Sequence, residues 1–263
     1  MMILIDSGNT RLKVAILRAG RAESATALDN DDPAALDRWL GGLPTAPCQA
    51  LGSNVAGPAR AEAIEAALAR RQCAATWVRP RTHALGLTSR YTDPTQLGPD
   101  RWAAMLGVMV GNAAAQEAHP FLLASFGTAT TLDCVSADGV FEGGAILPGP
   151  AMMRKSLASG TADLPLTHGP AVAFPRDTGQ AISTGVAAAQ AGALLRQWLA
   201  ALERFGATPR LYVTGGGWPD VEAETRRMLA HAASHIAAAP PPPCVLANPV
   251  LDGLAGLASE GLL

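Results

Sequence analysis

The sequence predicts an α/β protein that is built from two related lobes. Residues 3–16 and 121–135 share one form, in which an apolar run, a polar turn with a glycine and a second alternating run follow one another. Each stretch is typical of a β-hairpin, and an internal repeat of this kind indicates a duplicated domain. The 263 residues suffice for two lobes of about 100–150 residues each. We therefore expect lobes over residues 1–112 and 113–263.

The first polar turn carries groups that suit a phosphate ligand. Gly8 lets the backbone approach a ligand closely, Thr10 offers a small donor, and Lys13 adds a positive charge. Backbone N–H groups, a hydroxyl and an ammonium suit a polyphosphate, while the carboxylate of Asp6 suits its Mg²⁺. Considered alone, the turn fits an ordinary hairpin with a polar tip equally well.

The second polar turn repeats the first one. Gly127 corresponds to Gly8, and Ser125 occupies the place of Asp6. Two phosphate loops in successive halves of the chain predict a nucleotide clamped between the halves, although Gly-Thr turns are common enough for a chance match.

Composition excludes several classes of protein. The net charge is −2 and no block of like charge occurs, so we expect neither nucleic acid nor an anionic membrane as a partner. No apolar run reaches the length of about 18 residues that a membrane-spanning helix needs, and the N-terminus lacks the features of a signal peptide. Scattered cysteines without ligand spacing indicate free thiols, buried at Cys134 and Cys244, and a cytoplasmic protein.

The elements of the first half alternate between strands and helices. Asp32 and Pro33 form a helix start, and residues 58–71 place apolar side chains on one helical face. After the first hairpin we predict a strand within 18–25, a helix over 34–40, a strand over 49–55, a helix over 58–71 and a strand over 74–78. A loop over residues 87–100 then leads into an apolar helix over 101–110, so Asp100 lies near a helix N-terminus. A simple helix-capping role for Asp100 is the alternative to a functional one.

The second half repeats the alternation with longer helices. After the second hairpin we predict glycine-punctuated strands near Gly143, a helix from Pro150, an irregular connection over 159–177, a helix over 184–202, a strand over 211–213, a helix over 222–238, a polyproline bridge over 240–243, a strand over 244–247 and a closing helix from 250. The glycines after Thr214 suit an adenine or a ribose, or else form a plain turn.

The motifs of the chain, in order, are Asp6-Ser7-Gly8-Asn9-Thr10-Arg11-Leu12-Lys13, Gly98-Pro99-Asp100-Arg101-Trp102, Gly127-Thr128-Ala129-Thr130-Thr131-Leu132-Asp133, Gly143-Gly144-Ala145-Ile146-Leu147-Pro148-Gly149, Thr178 and Thr214-Gly215-Gly216. Taken in this order, they resemble the motifs of the actin/sugar-kinase/Hsp70 superfamily, and in detail they are similar to those of type III pantothenate kinases. The resemblance implies duplicated ribonuclease-H-like (actin-like ATPase) lobes with a nucleotide cleft between them.

The resemblance also implies an activity, namely ATP-dependent phosphorylation of pantothenate to 4′-phosphopantothenate, the first step toward coenzyme A. ATP contacts would come from Asp6, Ser7, Gly8, Asn9, Thr10, Arg11, Leu12, Lys13, Gly127 and Thr128. Asp6 would orient Mg²⁺ and Asp100 would accept the proton of the substrate hydroxyl. Pantothenate contacts would come from Tyr91, Gly98, Pro99, Asp100, Arg101 and, across a homodimer interface, Thr178.

One position departs from the family pattern. The family usually has an aspartate at the place of Ser125, where the carboxylate is associated with a required monovalent cation, K⁺ or NH₄⁺. A serine supplies no charge, so the cation requirement is in doubt. Two other functions stay open, a nucleotide-binding accessory or regulatory protein on the same fold, and a kinase of another small hydroxy acid or sugar.

Overall fold

The computed structural model describes residues 1–235 and 242–261 and has the expected α/β architecture. Contacts divide the chain into two compact units. One unit comprises Met1–Ala118 together with Asn248–Leu263, and the other comprises His119–Ala247.

The first unit is built on a five-stranded sheet in the order β3-β2-β1-β4-β5. Its strands are β1 (Met2–Ser7), β2 (Arg11–Arg18), β3 (Arg21–Asp29), β4 (Gln49–Asn54) and β5 (Ala74–Trp77). Strand β1 pairs antiparallel with β2 and parallel with β4, and Asp6 is opposite both Lys13 and Ser53. Because directly paired residues of neighbouring strands point to the same side of a sheet, these three side chains share one face.

Helices cover both faces of this sheet. They are α1 (Ala35–Gly41), α2 (Pro58–Ala69), α3 (Pro99–Ala114) and α7 (Pro249–Ser259). Helices α1 and α2 bury one face in a core that contains Ile3, Ile5, Val14, Ile64 and Leu68. Helices α3 and α7 contact β4 and also each other, while α7 contacts β1. Asp6 alternates with Ile5, so its side chain points to the face opposite the core of α1 and α2.

The C-terminal helix departs from the predicted division at residue 112, because α7 groups with the first unit and the break in contacts falls after Ala118. The reason is a close crossing of α3 and α7. A Cβ on Gly253 would overlap the carbonyl of Ala103, and a Cβ on Gly107 would overlap the carbonyl of Pro249. Only glycines let two helix backbones approach so closely, and hydrophobic periodicity alone does not reveal such a pairing.

A short segment joins β5 to α3. It contains the hairpin strands β6 (His83–Ala84) and β7 (Leu87–Ser89) and a 3₁₀ turn over Pro94–Gln96. The predicted loop over 87–100 is therefore partly ordered as regular structure. Asp93 caps the 3₁₀ turn by accepting a hydrogen bond from the backbone N–H of Thr95 at 2.9 Å.

The second unit contains the strands β8 (Phe121–Phe126), β9 (Ala129–Val135), β10 (Val140–Pro148), β11 (Arg210–Thr214) and β12 (Cys244–Val245), ordered β12-β11-β8-β9-β10. Its helices are α4 (Pro150–Gly160), α5 (Thr178–Phe205) and α6 (Trp218–Ala233). Helices α5 and α6 pack on one sheet face around a core that includes Leu122, Phe126, Trp198, Val213 and Trp218.

Two helices of the second unit begin earlier than predicted. Helix α5 begins at Thr178 because the side chain of Asp177 accepts a hydrogen bond from the backbone N–H of Gln180 at 2.8 Å. Helix α6 begins at Trp218, directly after the glycine turn. Residues 236–238 of the predicted helix and residues 240–241 of the predicted polyproline bridge lie outside the described residues.

The cysteines carry free thiols. Cys134 is buried as expected, whereas Cys244 is exposed, because it lies on the short edge strand β12. Within residues 1–235 and 242–261, none of the helices combines the length and the apolar character required to cross a membrane.

Candidate active site

The first polar turn, residues 8–11 (hereafter the first loop), connects β1 to β2. The backbone N–H of Gly8 donates to the carbonyl of Arg11 at 3.1 Å and closes the loop. Asn9, Thr10 and Arg11 are exposed, so a ligand can reach their backbone and side chains. Leu12 is buried in the core, so it can reach a ligand only through its backbone.

Asp6 is the last charged residue before the first loop. Burial raises the pKa of Asp6 to about 6, the nearby charge of Lys13 lowers it, and the charge of Asp100 raises it. A carboxylate that is costly to ionise in a buried site is a feature of functional centres, and a bound cation would offset that cost.

Ser53 lies beside Asp6 on β4 and was not selected from the sequence as a functional residue. Its side chain is fully buried, and its hydroxyl has no hydrogen-bond partner within the described part of the chain. A buried hydroxyl without a partner is uncommon in folded proteins. The parallel register of β1 and β4 is the signal that could have identified Ser53, but a single sequence does not give that register.

Asp100 occupies the first turn of α3, whose N-cap is Gly98. One carboxylate oxygen accepts a hydrogen bond from the backbone N–H of Arg101 at 2.8 Å. A Cβ on Gly98 would lie 2.6 Å from that same oxygen, so any larger residue there would force the carboxylate to move. Burial raises the pKa of Asp100, and the hydrogen bond and the charge of Arg101 oppose that shift. Because Gly98 is the N-cap of α3, Asp100 is not the N-cap residue, in contrast to the capping alternative.

Arg101 and Tyr91 flank this carboxylate. Arg101 is buried, with a 6% exposed fraction. Its guanidinium donates a hydrogen bond to the Tyr91 hydroxyl at 3.2 Å and lies 6.0 Å from the centre of that ring. A fixed, buried guanidinium can bind the carboxylate of an acidic substrate.

The first unit thus brings together most of the site residues that were predicted between positions 6 and 101. Asp6, Lys13 and Asp100 interact electrostatically, and Arg101 connects Asp100 to Tyr91. A carboxylate whose pKa is raised is a stronger base toward the proton of an alcohol, and the adjacent first loop offers donors to a phosphate.

In the second unit, Gly127 and Thr128 form the turn between β8 and β9 (hereafter the second loop). The backbone N–H of Gly149 donates to the carbonyl of Thr128 at 2.9 Å, and that of Gly217 donates to the carbonyl of Phe126 at 2.9 Å. Gly215 has φ +98°, and a Cβ on it would overlap the backbone of Phe126. Backbone contacts from two glycine motifs therefore hold the second loop.

Ser125 lies in a row of hydroxyls on the second sheet. It is paired with Thr214 of β11 and with Thr131 of β9, so three hydroxyl side chains share one sheet face. None of the three carries a charge. The neighbouring row on β8 and β9 pairs Leu123 with Asp133, which is buried.

Thr178 is exposed at the first turn of α5. It lines an open, mainly apolar groove of about 880 Å³, whose walls come from α4, α5 and the preceding connection. Within the second unit, the groove lining consists of Met153, Ser156, Leu157, Leu164, Pro175, Arg176, Asp177, Thr178, Ala181, Ile182, Gly185 and Val186. These residues do not include the second loop.

Comparison with known proteins identifies the family of this chain. A family model described as type III pantothenate kinase matches residues 2–200. A protein of Bordetella petrii named type III pantothenate kinase is 58% identical over 261 residues, which cover 99% of this chain and 98% of that protein.

Two solved structures show the fold. A candidate Baf family transcriptional activator from Campylobacter jejuni has a TM-score of 0.57 at 19% identity and covers 99% of this chain and 100% of its own. Lmo2764 from Listeria monocytogenes, a candidate N-acetylmannosamine kinase, has a TM-score of 0.53 at 13% identity and covers 99% of both chains. The expected actin-like ATPase fold is confirmed. The chain belongs to the type III pantothenate kinase family.

Proposed function

We propose that this protein phosphorylates pantothenate at its primary hydroxyl, using ATP and yielding 4′-phosphopantothenate, in the first step of coenzyme A synthesis. The observation that carries the proposal is the partly buried carboxylate of Asp100, which Gly98 accommodates and which accepts a hydrogen bond from the backbone N–H of Arg101 at the start of α3. Family membership supplies the identity of the substrate.

We assign the phosphates of ATP to residues 6–13 and, in the second unit, to Gly127 and Thr128. Exposed backbone at Asn9 and Thr10, together with the ammonium of Lys13, supports the first assignment. Two flanking glycine motifs that hold the second loop support the other. Phosphoryl transfer depends mostly on such positioning and on neutralising charge.

The residues around Asp6 fit a Mg²⁺ ion. The charge of Asp100 raises the pKa of Asp6, and the hydroxyl of Ser53 beside Asp6 is buried without a hydrogen-bond partner in the described part of the chain. No cluster of three or more acidic, histidine or cysteine side chains suited to a metal occurs in residues 1–235 and 242–261. This agrees with an ion held by one carboxylate, phosphates and water, and when bound that ion neutralises phosphate charge.

Asp100 accepts the proton of the substrate hydroxyl in this proposal. Burial raises the pKa of Asp100 above that of an ordinary carboxylate, which makes its carboxylate a better base. Gly98, Pro99, Tyr91 and Arg101 bind pantothenate, and the buried guanidinium of Arg101 pairs with the substrate carboxylate.

We propose that this enzyme works without a monovalent cation. The residues at the expected place do not fit such an ion, because Ser125, Thr131 and Thr214 form a row without any charge. Neutral hydroxyls alone bind K⁺ more weakly than a site that includes a carboxylate.

We also propose a cytoplasmic homodimer. Thr178 lies at the rim of an apolar groove, and Leu166 and Phe174 of the neighbouring connection are 64% and 87% exposed. Exposed apolar side chains next to a groove are typical of an interaction surface, and a second copy would bring Thr178 to the pantothenate site. Free thiols support the cytoplasmic location.

A nucleotide-binding accessory protein is the second candidate function, and the observation that favours it is the missing charge at Ser125. A protein that only binds nucleotide does not need a catalytic base, so the arrangement of Gly98, Asp100 and Arg101 favours the kinase.

The deciding experiment incubates the purified protein with ATP, Mg²⁺ and pantothenate, and detects the product by mass spectrometry. A panel of hexoses and small hydroxy acids is tested in parallel by coupled ADP release. We expect phosphopantothenate and little turnover of the panel. A preference for a hexose would contradict the substrate, and ATP binding without any phosphorylated product would favour the accessory protein.

A further inference from the structure

The side chain of Asn30 contacts the first loop, although no sequence motif includes this residue. Asn30 directly follows β3. Its amide nitrogen Nδ2 donates to the carbonyl of Gly8 at 2.9 Å and to the carbonyl of Asn9 at 3.0 Å. Both N–H bonds of one amide group are thus directed to successive carbonyls of the loop.

Arg60, in the first turn of α2, determines the orientation of that amide. Its Nη2 donates to Oδ1 of Asn30 at 2.6 Å, and its Nη1 lies 3.4 Å from the backbone carbonyl of Asn30. A guanidinium has donors only, so it selects the amide oxygen and leaves the amide NH₂ facing the loop. Arg60 therefore excludes the flipped amide, which would place an oxygen against the loop carbonyls.

Anchoring the carbonyls also directs the N–H groups of the loop. In a planar trans peptide the C=O and N–H bonds point in opposite directions. When Asn30 holds the carbonyls of Gly8 and Asn9, the N–H groups of Asn9 and Thr10 point away from Asn30. Both are exposed residues of the first loop, so a ligand can reach this side of the loop.

We propose that Asn30 and Arg60 are positioning residues, which hold the first loop in the conformation that binds the phosphates of ATP. The inference rests on the proposed function, because it takes the ligand of the loop to be a nucleotide. It adds that the loop conformation is set from outside the motif, by a side chain after β3 and a cation on α2.

The test compares three variants by steady-state kinetics and by hydrogen exchange. Asn30→Asp retains the size of the side chain and the acceptor for Arg60 but replaces the donors with an oxygen. Arg60→Met removes the guanidinium while leaving Asn30 in place. Arg70→Met is the matched control, because it removes an arginine from the C-terminal end of α2, where Arg70 pairs with Asp37 on the surface.

We expect Asn30→Asp to raise the KM for MgATP by about ten- to a hundredfold, since two hydrogen bonds are lost. Arg60→Met is expected to raise it about three- to tenfold. The KM for pantothenate and the kcat at saturating ATP stay within about twofold, because the lost contacts act on nucleotide binding. Arg70→Met behaves like the unaltered protein.

Hydrogen exchange of the peptide over residues 6–13, measured without nucleotide, separates this inference from the proposed function. Faster exchange in Asn30→Asp and Arg60→Met, but not in Arg70→Met, supports the anchoring even if pantothenate is not the substrate. An unchanged KM for MgATP overturns the inference, and so does an equal loss for both substrates together with a lower melting temperature. Should Asn30→Asp not fold, Arg60→Met decides by the same criteria.

Discussion

The charge of Asp100 raises the pKa of Asp6, so a carboxylate at the end of β1 and one in the first turn of α3 share an electrostatic environment. Burial is the larger cause of the shift at Asp6, and it also raises the pKa of Asp100. Two partly buried acids in one site are costly to ionise unless they serve a cation or a proton transfer. This relationship underlies the predictions for both residues.

Asp6→Asn is expected to stabilise the protein at neutral pH while abolishing activity. The folded pKa of about 6 lies above the ordinary 3.8, so the native state binds the proton more tightly than the unfolded state. Stability is therefore lost as the pH rises from about 4 through 6, and ionised Asp6 costs up to about 3 kcal/mol above that range. The asparagine variant avoids this cost.

Urea unfolding of both proteins at pH 4 and pH 7.5, without Mg²⁺, measures the effect. The variant should be more stable at pH 7.5 and nearly equal at pH 4. Equal stabilities at both values would mean that the carboxylate is not costly to ionise in the folded protein.

Gly98→Ala is expected to lower kcat by about ten- to a hundredfold, because the new methyl group meets the Asp100 oxygen at 2.6 Å and displaces it. Gly111→Ala is the matched control. Gly111 lies on the same helix with open space around it, and alanine there should stabilise α3 by about 0.5–1 kcal/mol.

Kinetics and thermal melting of the two alanine variants distinguish them. A Gly98→Ala enzyme with the unaltered kcat, or a Gly111→Ala enzyme that is equally impaired, would contradict the role of Gly98.

Much of the candidate site could be predicted from the sequence, because it is carried by short contiguous motifs. The hairpin around Gly8 and the helix start at Asp100 depend on local turn and helix chemistry, and both lie where expected. The actin-like fold and the family were confirmed for the same reason.

The contacts that local patterns do not contain could not be predicted. The pairing of α3 with α7 depends on Gly107 and Gly253, which are far apart in the chain. Likewise, the bond from Asn30 to Gly8 and the position of Ser53 beside Asp6 follow from tertiary structure and strand register. Hydrophobic periodicity carries no information about either.

The hydroxyl row at Ser125 leads to a prediction about ions. We expect turnover in K⁺, in NH₄⁺ and in tetramethylammonium to agree within about twofold, because no carboxylate is present at Ser125, Thr131 or Thr214 to bind a small cation. Ser125→Asp should introduce activation by K⁺, whereas the neutral variant Ser125→Asn should not. Strong K⁺ activation of the unaltered enzyme would refute the proposal.

The most direct test of the account is the turnover of Asp100→Asn with pantothenate and MgATP. We predict a kcat at least about a hundredfold lower, since general base catalysis typically contributes ~10²–10⁴. MgATP binding should be retained, and the melting temperature should be equal or higher because a partly buried carboxylate of raised pKa is removed. Near-normal phosphorylation of pantothenate by this variant would contradict the assignment of Asp100 as the base.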